Sequence, residues 1–153
     1  PSPMRLRDFF TPGAISFDLQ ATGKDEVLAE MVRLLGLDPR SADTLLRVLQ
    51  RRETLGSTGM GRGIAIPHCR SLVANRLRVA YGHSRAGVEF HAMDGRPVHH
   101  LFLIVAPPLE ISNQYLPVLG RIAQFAKEAD VPDRLASLEH PDEFFRLLEE
   151  KGV

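Results

Sequence analysis

The sequence predicts an α/β domain in which helices pack against a central β-sheet. Amphipathic helical periods occupy both ends of the chain, and short β-rich runs lie between them. One of those runs, Leu101, Phe102, Leu103, Ile104 and Val105, is continuously apolar, which suits a strand covered on both faces. At 153 residues the chain is long enough for one domain with a full core.

Taken in order, Lys24 to Leu35 reads as a helix, because Val27, Leu28, Met31, Leu34 and Leu35 fall on one face. Gly36 stops it. A second helix is expected from Ala42 to Leu55, with Ser41 as its N-cap and Leu45, Leu46, Val48 and Leu49 as its buried stripe. Gly56 to Gly63 then breaks all periodicity with four glycines in eight residues. Strands are expected at Ile64 to Ile66, Arg76 to Gly82 and Pro97 to Val105, with a turn at Asp94 and Gly95 before the last. Pro107 and Pro108 end that strand. A long helix begins near Asn113 or Tyr115, with Pro117 tolerated in its first turn and Leu119, Ile122, Ala123 and Ala126 facing inward. A final helix opens at Pro141 and buries Phe144, Phe145, Leu147 and Leu148. The pattern contains no repeat or linker and does not set the strand order. Residues 4–153 therefore read as a single domain, and Pro1, Ser2 and Pro3, ahead of Met4, read as an expression remnant.

Composition excludes several classes. Acidic and basic residues balance at 19 each, so bulk charge points to no nucleic-acid partner. Cys69 is the only cysteine, which rules out an intrachain disulfide and a cysteine-rich zinc site. No apolar run is long enough to span a membrane, and Arg5, Arg7 and Asp8 interrupt what would be a signal peptide's apolar stretch. The expected address is the cytoplasm.

The chemistry concentrates in "RETLGSTGMGRGIAIPH", residues 52–68. A helix ends, a glycine-rich loop follows, and a short strand delivers Pro67 and His68. Glycines let the backbone approach an anion with its N–H groups free. Ser57 and Thr58 add hydroxyls, and Arg52 and Arg62 add positive charge. Such a place can hold a phosphoryl group. Histidine suits the role of acceptor: its unperturbed pKa near 6.5 leaves the ring largely neutral and nucleophilic. Phosphoryl transfer then needs chiefly positioning and charge stabilisation, for which an arginine fork is well shaped.

Competing motifs fail. Gly56 to Gly63 has P-loop spacing, but Arg62 and Gly63 stand where lysine and a hydroxyl residue belong. His99 and His100 are adjacent in a strand, so they point to opposite faces and cannot share a metal; no metal or cofactor is expected. His83, His91 and His140 read as surface or capping residues. From spacing alone, the glycine-rich segment also reads as a plain turn, His68 as a structural histidine and Tyr115 as an ordinary amphipathic residue. Met60, at the loop tip, reads either as a partner contact or as core packing.

Residues 52–68 closely resemble the active-site signature of the IIA domains of the phosphoenolpyruvate-dependent phosphotransferase system, in the fructose, mannitol and nitrogen-regulatory branch. The resemblance extends over "RLRDFFTPGAISFDLQATGKDEVLAEMVRLL", "DGRPVHHLFLIVAPP" and "YLPVLGRIAQFAKE". It implies a mixed central β-sheet flanked by helices on both faces, in a bacterial protein. It also implies phosphorylation of His68, on Nε2, by a histidine-containing phosphocarrier protein. Arg52 matches the family's arginine beside the histidine, Ser57 falls in the phosphate-binding loop, and the phosphoryl group passes to a IIB domain and sugar or serves as a regulatory signal toward a transporter or kinase. Two positions depart from the pattern. Cys69 replaces the usual glycine, and Tyr115, or Gln114 with a one-residue slip, occupies the slot of a second histidine that helps hold phosphate. Neither substitute can carry an imidazolium charge. The expectation is a phosphocarrier in regulation; the alternatives are a binding module that kept the fold without transferring phosphate, or the regulatory domain of a larger transporter.

Overall fold

β5 (Arg78–Val88) and β6 (Val98–Ala106) form an antiparallel pair at the centre of the molecule, with Tyr81 opposite Phe102 and His83 opposite His100. These and all other contacts come from a computed structural model, which describes residues 4–110 and 113–153; Pro1 to Pro3 lie outside the described residues. Strand alternation sends Val79, Tyr81, Phe102, Ile104 and Ala106 into one core and Ala80, Leu101, Leu103 and Val105 into another. β6 is therefore covered on both faces, as its apolar run implied.

The sheet is mixed. β1 (Ile15–Ser16) runs parallel to β5 on one side. On the other side β3 (Ile64–Ala65) and β4 (His68–Arg70) both run parallel along β6, and β2 (Gly59–Gly61) pairs antiparallel with β3. Helices α1 (Lys24–Arg33) and α2 (Pro39–Thr54) share a core with Leu101 and Leu103, burying Val27, Leu28, Met31, Leu45 and Leu49. Helices α3 (Tyr115–Lys127), α4 (Val131–Ala136) and α5 (Pro141–Glu150) cover the opposite face. There Tyr81 lies 5.0 Å from both the Phe102 and Phe144 rings. Each such buried aromatic contributes roughly 1.5–3 kcal/mol of apolar transfer. At Gly82 a Cβ would stand 2.5 Å from the Met31 sulfur and 2.6 Å from Leu19 Cδ1, so a larger residue would have to push these two side chains aside.

Several expectations needed correction. α2 starts at Pro39, and its N-cap is Asp38, whose carboxylate accepts the Ser41 N–H at 2.9 Å. Ser41 is thus the third residue of the helix, because an aspartate followed by proline is a stronger start signal than a serine. Part of the glycine-rich run pairs as β2, so it is not loop throughout. β5 continues to Val88, past a bulge after His83. His83, expected at the surface, is buried, since it follows Val79 and Tyr81 on the inward side of β5. Met60 is partly buried against the core, so packing is its role. His140 does stand at the N-cap of α5, where the Glu143 carboxylate accepts the Glu139 and His140 N–H groups at 2.9 and 3.0 Å.

Candidate functional site

β4 is a three-residue strand that pairs only with β6 among the described residues, with His68 beside Ile104, Cys69 beside Val105 and Arg70 beside Ala106. Pro67, just before it, gives up no ladder bond at this edge, and its carbonyl accepts the Ile104 N–H at 3.0 Å. Alternation then decides the rest. Cys69 turns into the core beneath α1 and α2, where burial pushes its thiol pKa up to about 12. His68 and Arg70 turn the other way, toward α3.

The His68 ring is half-buried, and its Nδ1 lies 2.7 Å from the Ile66 carbonyl oxygen. A carbonyl can only accept, so Nδ1 carries the proton and Nε2 keeps its lone pair. Which ring nitrogen is left with a lone pair is thereby chosen by a neighbour two residues back in the same segment.

Around the ring lies an open pocket of about 520 Å³ where the end of α2 and the start of α3 converge on β4. α2 supplies Arg51 and Arg52, β4 supplies Arg70, and α3 supplies Tyr115. Arg52 donates to the Gly56 carbonyl at 2.8 Å, which holds its guanidinium over the helix end and closes the chain's exit from α2. Arg70 donates to the Pro107 carbonyl at 3.1 Å and stacks 4.5 Å above the Tyr115 ring. Tyr115 is 6.3 Å from His68, ring centre to ring centre. Burial, reinforced by Cys69 and opposed by Arg70 and Arg52, pushes the Tyr115 hydroxyl up to about 12. Near neutral pH the phenol is therefore an uncharged donor. Gln114 lines a separate cavity with Asp8, Arg76 and Arg78, so Tyr115 is the residue the fold turns toward His68.

Other polar residues of the signature hold the loop. The Ser57 hydroxyl donates to Phe90 O at 2.6 Å and accepts from Gly59 N–H at 2.9 Å, and Ser57 does not line the His68 pocket. Thr58 is tied through its N–H and hydroxyl to the Glu53 carboxylate, which also meets Lys24 at 3.0 Å. Arg62 points away altogether and donates to the Lys127 carbonyl at 2.6 Å. The structure thus brings Arg52 and Tyr115 to His68 but not Ser57 or Arg62. It adds Arg70, which the sequence reading missed; the signal was its place two residues beyond His68 on the same strand face. Among the described residues no cluster of three histidine, cysteine or acidic side chains could hold a metal, and no helix is long and apolar enough to cross a membrane.

A two-faced α/β sheet that offers one histidine nitrogen to an arginine-lined pocket defines a small group-transfer domain of the phosphotransfer type. The chain belongs to the family described as phosphoenolpyruvate-dependent sugar phosphotransferase system, EIIA 2, which matches residues 8–151. It is 36% identical to a nitrogen regulatory protein of Pseudomonas aeruginosa over 95% of both chains. It is 29% identical to the fructose-specific EIIABC component of Bacillus subtilis, over 95% of this chain and 23% of that longer protein. Among solved structures, the nitrogen regulatory protein IIA-Ntr of Neisseria meningitidis superposes with a TM-score of 0.83 at 28% identity, covering 92% of this chain and 97% of that one. The Escherichia coli complex of the mannitol enzyme IIA with phosphorylated enzyme IIB shares the fold, with a TM-score of 0.71 at 21% identity over 92% of this chain and 99% of that one. The IIA components of this system are phosphotransferases.

Proposed function

We propose that this chain is a phosphocarrier in which Nε2 of His68 accepts a phosphoryl group from the phosphohistidine of a histidine-containing phosphocarrier protein. A new N–P bond forms at Nε2 while the donor's N–P bond breaks and its imidazole keeps the electron pair, so neither nucleotide nor metal is consumed. The observation that carries this reading is the Nδ1 bond to the Ile66 carbonyl, which leaves Nε2 free in a pocket bearing Arg51, Arg52 and Arg70. Arg52 and Arg70 would hold the phosphoryl oxygens, with the Tyr115 hydroxyl as a neutral donor. Ser57 is left out of this role because its one proton is already donated.

A partner must reach Nε2, and the pocket rim offers apolar contact: Leu55 and Leu116 are 82% and 69% exposed on opposite sides of it. The likeness to nitrogen regulatory proteins at nearly full mutual coverage favours a signalling role in the cytoplasm, in which the phosphorylated and free forms act differently on a regulated transporter or kinase. Relay to a IIB domain is the second outlet, favoured by the mannitol IIA neighbour solved with one. Incubation with enzyme I, the phosphocarrier protein and phosphoenolpyruvate should add one phosphate to wild type and none to His68→Ala, read by intact mass. An unshifted wild-type mass would sink the carrier role and leave a binding module that kept the fold.

A further inference from the structure

A second cavity, of about 400 Å³, opens at the other end of β6, and nothing in the chemistry of His68 uses it. His100 pairs with Ile64 whereas His68 pairs with Ile104, so the two sites stand four residues apart along the strand, roughly 13 Å at the usual rise. Arg62, His83, Arg85, His99 and His100 line this cavity, and Asp133 of α4 is the one carboxylate among its walls. His99 and His100, expected on opposite faces, both reach it where their N–H groups share the Gly63 carbonyl at 2.8 and 2.9 Å. Five nitrogen-bearing side chains from three segments therefore face a single acid. The volume falls within the range of small-molecule sites.

Arg62 and the histidines are held in place, and Arg85 is exposed at the mouth. Arg62 occupies a left-handed backbone position, φ 60°, that a non-glycine residue takes at a cost of about 1 kcal/mol or more. Its N–H donates to Asp94 at 2.8 Å and its Nη1 to the Lys127 carbonyl at 2.6 Å, which leaves the rest of the guanidinium fork for a ligand. His99 donates Nδ1–H to the Ser84 carbonyl at 2.8 Å, so Nε2 is its remaining polar atom. His100 is occupied by the Tyr81 hydroxyl at 2.8 Å and stacks 5.0 Å from His83, fixing that ring against the wall. Burial, followed by the neighbouring cationic groups, lowers the pKa of His83 and His100, and the opposing pull of Asp18 on His83 is the weaker influence.

We propose that this cavity binds a small oxyanion, the phosphate or carboxylate group of a metabolite, between Arg62, Arg85, His83 and His99. Arginine forks match either group and supply the donors, since the Nδ1–H of His99 is already given to Ser84; the two imidazoles border the anion and report on its presence. The site is separate from His68 and stands whether or not His68 carries phosphate.

The test is a histidine-ring NMR titration of the whole chain with inorganic phosphate, glycerol phosphate or succinate at constant ionic strength. His83 and His99 signals should move saturably in the low-millimolar range with at least one of the three, and the tightest distinguishes free phosphate, phosphate ester and carboxylate. Arg62→Gln and Arg85→Gln, checked for folding by the dispersed methyl spectrum, should each weaken the midpoint about fivefold or more. His68→Ala should leave it unchanged. The proposal is overturned if no anion saturates these signals, if both arginine variants titrate like wild type, or if His68→Ala abolishes the response.

Discussion

Replacing Tyr115 by phenylalanine removes one oxygen from the pocket and little else. The ring remains, so Arg70 keeps the platform 4.5 Å beneath it and α3 keeps its seat on β6. The lost group is a neutral donor at pH 7, because burial holds its pKa near about 12. A neutral hydrogen bond contributes about 0.5–1.5 kcal/mol, so the phosphoryl equilibrium with the donor protein should move about 2- to 12-fold toward the donor. Tyr115→His substitutes a donor that can be charged, and charged donors contribute about 1.5–3 kcal/mol. The His variant should thus hold phosphate roughly fivefold better than wild type at pH 6, with the gain fading by about pH 8 as an ordinary imidazole loses its proton. Mixing each protein with phosphorylated phosphocarrier at known ratios and counting phosphohistidine by phosphorus NMR gives the constant directly. A Tyr115→Phe equilibrium equal to wild type, or a histidine gain independent of pH, would refute the role assigned to this position.

Three further outcomes follow from the same geometry. Arg52→Ala should slow phosphorylation at least tenfold and lower stability by about 1 kcal/mol, through the lost phosphoryl contact and the lost bond to Gly56, measured by transfer kinetics and urea unfolding. The Cys69 thiol, buried and raised to about 12, should resist a thiol reagent at pH 8 in the folded protein and react once unfolded in urea; rapid labelling of the native chain would contradict its burial. His100 is held near about 4 by burial and by His83 and His99, below its unfolded value of 6.5, so its neutral form stabilises the fold above pH 6.5. That contribution, up to roughly 3 kcal/mol, should fall away as pH drops from 6.5 toward 4, and His100→Phe should flatten this limb of the urea-stability profile.

The sequence made the long elements legible because their burial is periodic: α1, the inner face of α3, α5 and the apolar run of β6 each repeat with the period of their own backbone. It concealed the elements whose pairing is remote. β1 and β2 are two and three residues long and exist only because β5 and β3 lie beside them. His68 and Arg52 were readable from one contiguous signature, and Tyr115 from its resemblance to a known slot. Arg70 escapes the sequence reading and His83 reads wrongly as a surface residue, although alternation from His68 and from Tyr81 places both on known faces. Arg62 and Ser57 show the opposite: they are near His68 in sequence but not in space, because a tight loop sends successive side chains in different directions.

The bond between His68 and the Ile66 carbonyl spans two residues, whereas the positive charges around the ring come from α2 and β4 and the phenol from α3. Nucleophile and surroundings are consequently under separate control. If His68 carries phosphate as proposed, a partner that shifted α2 or α3 by a fraction of a turn would alter how strongly the group is retained without disturbing the nitrogen that holds it. On that reading one acceptor would serve as a quick conduit toward one partner and a durable mark toward another, with residence time set by whichever surface engaged the exposed Leu55 and Leu116.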